Sequence, residues 1–272
     1  MALRTDFKER YGKWALVTGA AQGIGAAYSR RLVELGMPVV MLDVQAELLE
    51  KGAAELSAAF PKAEIRVVVC DLSDAAAVNG AVDSLSDLEI GLLVANAGIG
   101  AVGRWLEVSQ STKLTQVAVN CASVVVLADR LTPLMVERKR GGVIIMASGS
   151  ADAGASFIVT YAATKAFDRV FAEGLWLELS PYGIDVTTVM PGATDTEGFQ
   201  ASLPNGVKPT KMMTPGSPAA VVEAALEGLG TKINVHPGSG KIGAVLGVAM
   251  KVIPRKRLLK LGDRAVRSQY DH

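Results

Sequence analysis

Between Trp14 and Asp43 the chain reads as strand, glycine loop, helix, strand and acid, an order that few folds accommodate. Trp14-Ala15-Leu16-Val17-Thr18 is a short apolar strand that runs into Gly19-Ala20-Ala21-Gln22-Gly23-Ile24-Gly25. A helical segment, 26–35, follows, then a second apolar strand, 38–42, closed by Asp43. Glycines permit a tight turn and let backbone amides approach an anion with no Cβ in the way. The next helix then turns its free N–H groups and the positive end of its dipole toward that anion. The spacing is G-x-x-x-G-x-G, not the commoner G-x-G-x-x-G. An acid at the end of the second strand accepts hydrogen bonds from an adenosine ribose diol and repels a 2′-phosphate. A glycine-rich turn beside an incidental acid is the plainer reading, and the ordered context argues against it.

A second cluster stands far downstream. Tyr161 and Lys165 are four residues apart, which stacks them on one face of a helix. Ser148 lies thirteen residues before Tyr161, just past the apolar run 142–147, which reads as a buried parallel strand. A hydroxyl at a strand's carboxyl end and a Tyr/Lys pair on the next helix converge over the sheet edge where open α/β folds bind ligands. A lone Y-x-x-x-K carries little; the upstream nucleotide-type signal gives it weight.

Strand and helix patterns alternate along all 272 residues, with strands expected near 14–18, 38–43, 65–69, 90–95, 143–148 and 184–190. That alternation predicts an α/β, doubly wound parallel sheet. With 50% hydrophobic content and no linker or repeat, one domain spanning 1–272 is expected. Cys70 and Cys121 have no metal-type spacing and read as small buried residues, and two histidines are too few for a histidine-based metal site. No apolar run reaches membrane-spanning length. The charged start, 1–12, leads straight into the first strand, so no signal peptide and a cytoplasmic location are expected.

Together these residues resemble the short-chain dehydrogenase/reductase family, with matches over most of the chain. The family's T-G-x-x-x-G-x-G stands at Thr18 to Gly25, and its N-A-G at Asn96-Ala97-Gly98 after the strand 90–95. Its active-site set falls on Asn120, Ser148, Tyr161 and Lys165, and its P-G segment on Pro191-Gly192-Ala193-Thr194-Asp195-Thr196. The stretch from Tyr161 to Phe167 also looks like the branch reducing long-chain 3-oxoacyl-CoA and steroid ketones. The resemblance implies a Rossmann-type sheet of about seven strands, the last at 233–236, and hydride transfer between NAD(H) and an apolar secondary alcohol or ketone. It makes Tyr161 the general acid/base, Ser148 the partner of the substrate oxygen, and Lys165 the holder of the nicotinamide ribose. Asn120 would hold a water linking the lysine to solvent; a core-satisfied amide is its plainer reading. The cofactor would lie along Gly19, Gln22, Gly23, Ile24 and Gly25, with Asp43 at the ribose and Asp71 and Leu72 at the adenine. Asn96, Ala97, Gly98, Pro191, Gly192, Thr194 and Thr196 would complete its contacts. Asp71 also reads as a cap for the helix near Ser73 or Asp74. Ser150 and Thr164 lie beside the catalytic groups.

Asp43 is followed by Val44, and neither Ala21 nor Gln22 is basic, so NAD is expected over NADP. The alternatives are an NADPH-dependent 3-oxoacyl thioester reductase and a non-catalytic dinucleotide-binding regulator. Residues 197–215 read as a substrate lid. The C-terminal extension, about 240–272, carries +6 of a net charge of +1 and an apolar run, 242–253, with one helical face. It reads as a helix pair over the active-site mouth, a membrane-surface element, or a contact to an anionic substrate. Apolar residues on 106–139 and 160–180 exceed one sheet-facing stripe, and in the family the equivalent helices pair about a two-fold axis. A homodimer or homotetramer is expected, with no nucleic-acid partner.

Overall fold

A computed structural model describes residues 7–203, 215–238 and 253–270. Seven parallel strands form one sheet in the order β3-β2-β1-β4-β5-β6-β7. They are β1 (Trp14–Thr18), β2 (Val39–Asp43), β3 (Ile65–Val69), β4 (Ile90–Ala95), β5 (Gly141–Met146), β6 (Ile184–Val189) and β7 (Asn234–Val235). The chain enters at the middle of the sheet, winds outward to β3, then crosses back past β1 to β4 and winds the other way. This is the expected doubly wound, Rossmann-type architecture. The reversal between β1 and β4 opens a crevice at the carboxyl ends of the strands.

Before β1 stands a short helix, α1 (Phe7–Tyr11), and after it α2 (Gly23–Glu34), α3 (Ala46–Ala59) and α4 (Ala75–Asp83). Between β4 and β5 run α5 (Gln110–Val117), a π-helical turn (Ala118–Ala122) and α6 (Ser123–Arg138). Then come α7 (Val159–Leu179), α8 (Glu197–Ser202), α9 (Pro218–Gly228) and α10 (Arg255–Tyr270). Strand side chains alternate between two cores. Val17, Met41, Val94 and Ile144 pack with α2, α3 and α9 on one face, and Leu16, Leu42, Leu93 and Ile145 with α4, α6 and α7 on the other. Both faces being covered explains why the strands read as unbroken apolar runs.

Four details differ from the sequence reading. β5 begins two residues earlier than expected. A Cβ on Gly141 would lie 2.7 Å from Met135 Cγ, and one on Gly142 2.8 Å from Tyr11 Cδ1. The glycine pair lets the strand start under α6 and α1. Second, α1 was not anticipated in the charged N-terminal stretch. Arg10 and Tyr11 anchor it, the guanidinium 2.6 Å and the phenol oxygen 2.9 Å from Asp185 Oδ2. Third, the expected single helix over 106–139 contains the π turn. Fourth, Gln110–Arg138 as a unit does meet the length and apolarity of a membrane span. Its Val124, Leu127, Leu131 and Met135 are nevertheless buried in the core against the sheet.

Cys70 and Cys121 are buried free thiols, as their spacing suggested. Of the lid at 197–215, α8 and the bridge from Thr194 to Gly216 are seen, while 204–214 lie outside the described residues. Of the C-terminal extension, most of the apolar run, 242–252, lies outside them, and the basic segment after Pro254 is α10.

Candidate active site

The glycine loop is fixed by close backbone approach. A Cβ on Gly25 would fall 1.9 Å from Gly19 O. Gly19 has a left-handed φ of +65°, and its Cβ would fall 2.9 Å from Ala97 Cα. Only glycine fits either position. Thr18 Oγ1 accepts from the N–H groups of Asn96 and Ala97, each at 3.0 Å, while Asn96 Nδ2 donates to Thr18 O at 2.9 Å. These bonds stitch the loop after β1 to the loop after β4 across the crevice. α2 starts at Gly23, so the N–H groups of Gly23, Ile24 and Gly25 have no intrahelical acceptor. Gln22 caps α2 without a side-chain bond.

Thr196 closes the loop from the other side. Its Cγ2 lies 3.1 Å from where a Gly23 Cβ would stand, and its hydroxyl caps α8 by accepting from Phe199 N–H at 3.1 Å. The space between Gly23 and Thr196 is a cradle that a side chain at 23 would fill. Pro191 O accepts from Gly149 N–H at 2.8 Å, which ties the P-G segment to the turn carrying Ser148. Thr194 is buried and donates to Gly192 O at 3.2 Å.

Asp43 is buried at the end of β2, with both carboxylate oxygens oriented by backbone. Oδ2 accepts from Ala21 N–H in the glycine loop at 3.0 Å, and Oδ1 from Gln45 N–H at 3.1 Å. Asp71, at the end of β3, is exposed and accepts from Ser73 N–H at 2.8 Å, a bond that holds its carboxyl below the usual range. It does not cap α4; Asp74 does, accepting from Ala76 N–H at 2.8 Å. Leu72 beside it is buried. Glycine cradle, helix N-terminus and the Asp43 carboxylate thus follow one another along the crevice.

Ser148 follows β5 and starts a short 3₁₀ turn (Gly149–Asp152), its Oγ accepting from Ser150 N–H at 3.2 Å. Ser150 Oγ is buried without a hydrogen-bond partner. Tyr161 and Lys165 lie one turn apart on α7. The loop after β4 passes beneath both. A Gly100 Cβ would be 3.3 Å from Tyr161 Cδ2, and a Gly98 Cβ 3.1 Å from Lys165 Nζ. Two glycines at alternate positions thus let ring and ammonium settle on backbone. Lys165 is buried, and its Nζ donates to Met146 O at 2.6 Å and to Asp168 Oδ2 at 2.9 Å. Met146 ends β5, so the ammonium is held two residues from Ser148.

Asn120 projects from the π turn, which inserts a residue into the helix ladder and reaims its side chain. Its Oδ1 accepts from Ile99 N–H at 2.8 Å, and Nδ2 donates to Ile99 O and to Thr164 Oγ1, each at 2.9 Å. The amide is thus satisfied by protein, and Thr164 passes the connection on to Tyr161 O at 2.8 Å. All four residues proposed for catalysis lie at the same edge of the sheet as the glycine loop. The sequence reading missed Gly100 and Asp168. The signals were a second glycine after N-A-G, and an acid three residues past Lys165 on the same helix face.

α10 reaches this edge too. Phe157, in a left-handed conformation (φ +64°), has its ring 6.3 Å from that of Tyr270 and 5.8 Å from the Arg267 guanidinium. Asp263 accepts from Ser156, and Arg255 donates to Asp152 O at 3.0 Å. The helix therefore lies against the segment joining Ser148 to Tyr161.

A family model described as short chain dehydrogenase matches residues 13–205. A chicken (Gallus gallus) protein named hydroxysteroid dehydrogenase-like protein 1 is 31% identical over 68% of the chain, which spans 57% of that protein's length. A very-long-chain 3-oxoacyl-CoA reductase of Anas platyrhynchos is 29% identical over 92% of the chain and 78% of its own length. Among solved structures, a short-chain dehydrogenase from Sphingobium yanoikuyae in complex with NADPH superposes with a TM-score of 0.78 at 27% identity, covering 89% of this chain and 96% of the other.

Proposed function

The chain belongs to the short-chain dehydrogenase/reductase family of nicotinamide-dependent oxidoreductases, and from that premise we propose that it moves a hydride between NAD(H) and an apolar secondary alcohol or ketone. One observation carries the reading: Tyr161 and Lys165 rest on Gly100 and Gly98, the backbone that also closes the dinucleotide crevice. When bound, the cofactor supplies or accepts the hydride, and the chain's own residues handle the proton. A free phenol has a pKa of about 10, too high for a base at neutral pH. Lys165 sets its ammonium one helical turn from the phenol. Tyr161 takes the proton from an alcohol, or gives it to a ketone, at the substrate oxygen. Ser148 steadies that oxygen by hydrogen bonding. Asn120, locked by Ile99 and Thr164, holds the loop after β4 under the lysine.

Asp43 supports NAD. Its carboxylate is fixed by two backbone N–H groups where a ribose 2′-oxygen would come, and a 2′-phosphate there would meet a like charge. The NADPH found with the Sphingobium protein is the reason to test this directly. The names of the two relatives point to bulky apolar alcohols and ketones. The test is a panel of steroid alcohols, 3-hydroxyacyl thioesters and aryl alcohols with their ketones, followed by NADH absorbance. Turnover of bulky apolar members with NAD(H) is expected. Cofactor binding with no turnover of any member would favour the regulator reading instead.

A further inference from the structure

The Lys165 ammonium has two neighbours on the protein: the Met146 carbonyl at 2.6 Å and the Asp168 carboxylate at 2.9 Å. Only 4% of the lysine side chain and 1% of the aspartate side chain are exposed, so water screens their interaction very little. The second oxygen, Asp168 Oδ1, is buried and makes no hydrogen bond. Buried polar atoms nearly always find a partner, so an orphaned carboxylate oxygen asks for an explanation. Asp168 spends its single bond on Lys165. An apolar residue would occupy the site on α7 at lower desolvation cost.

We propose that Asp168 is a positioning residue for this site: it holds the Lys165 ammonium against the end of β5 and offsets part of its charge at Tyr161, setting the pH range in which the phenol exchanges its proton. The proposal rests on the acid/base reading of Tyr161 above. Among the described residues, no other charged group is bonded to the pair. Cys121, across from α7 on the π turn, is a thiol that burial and Asp168 push up to about 11, so it stays neutral. Asn120 and the Met146 carbonyl are neutral dipoles. With Asp168 ionised, Tyr161 faces a lysine–aspartate dipole in place of a bare cation. Burial, opposed by the Lys165 ammonium, pushes the Asp168 carboxyl up to about 6, which leaves it charged at neutral pH.

The measurement is the pH profile of kcat/KM for alcohol oxidation by the wild type and Asp168→Asn. Removing the carboxylate should move the rising limb to lower pH by about one unit. The falling limb of ketone reduction should move the same way. Asp168→Leu gives the same test should the amide disturb the fold, since a buried leucine needs no partner. A profile that superimposes on the wild type, or moves to higher pH, overturns the proposal. Tyr161→Phe is run beside it. If that variant keeps its turnover, the acid/base reading itself has failed; if it is inactive while the Asp168 variants leave the profile in place, only the role of Asp168 has failed.

Discussion

Asp43 and Asp168 are both buried acids, and they act on different partners. At Asp43, the two backbone bonds hold the carboxylate rigid, so it cannot turn away from a 2′-phosphate. A preference for NAD over NADP of at least ~10-fold in kcat/KM is expected, the ~1.4 kcal/mol that one like-charge contact readily supplies. Asp43→Ser should bring the ratio toward one; an unchanged ratio would mean that the acid does not select the cofactor. At Asp168 the consequence is for stability. Its folded pKa of about 6 lies above the unfolded value, so the folded protein binds that proton more tightly. The resulting stabilisation is full below about pH 4 and is lost as pH rises through about 6. Asp168→Asn removes this titration. Relative to wild type, the variant should therefore gain up to about 3 kcal/mol in stability between pH 4 and pH 7. Denaturant unfolding at the two pH values checks it, and a difference that is flat with pH would show that the carboxyl does not titrate in that window.

Elements differ in how far the sequence betrayed them. The β1–glycine loop–α2–β2 unit was legible because its steric demands fall on single residue types: Gly19 and Gly25 admit no side chain, and Asp43 closes the strand. The π turn at Asn120 was not, since the phase shift from one inserted residue is hidden in the nearly continuous apolar stretch 117–128. β5 was placed slightly late because its apolar side chains begin only at Val143, whereas Gly141 and Gly142 serve close packing against a helix core and a tyrosine. α10 was legible as a basic helix after Pro254, but its docking on Phe157 depends on contacts more than a hundred residues apart. Phe157 lies between Ser148 and Tyr161 in the chain, so a contact of α10 with substrate is the point to test. In the intact protein, kcat/KM should climb along a homologous series of apolar alcohols, by up to ~0.8 kcal/mol, or about fourfold, per added methylene. A chain ending at residue 252 should show a flatter climb with cofactor affinity retained. An equal climb in both forms would place α10 away from the substrate.

At the scale of the whole molecule, the two cores leave apolar side chains uncovered on the outer helices. Leu114 and Val117 on α5, Val125 on α6, and Phe167, Val170 and Leu177 on α7 are all exposed. An isologous contact between copies would bury them. Light scattering at micromolar concentration should give two or four times the chain mass, and a single chain mass would refute the assembly. The sheet topology was readable from strand–helix alternation alone, whereas the site needed long-range geometry. Lys165 meets Met146 and Gly98 only once α7 has folded back over β4 and β5. Tyr161→Phe asks whether that convergence makes a catalytic site. Turnover and cofactor affinity should be measured on the same preparation, by NADH absorbance and by fluorescence titration. The variant should lose at least ~100-fold in kcat, as expected for removing an acid/base, with cofactor affinity nearly unchanged. A variant that keeps more than about a hundredth of wild-type kcat would contradict the acid/base role of Tyr161.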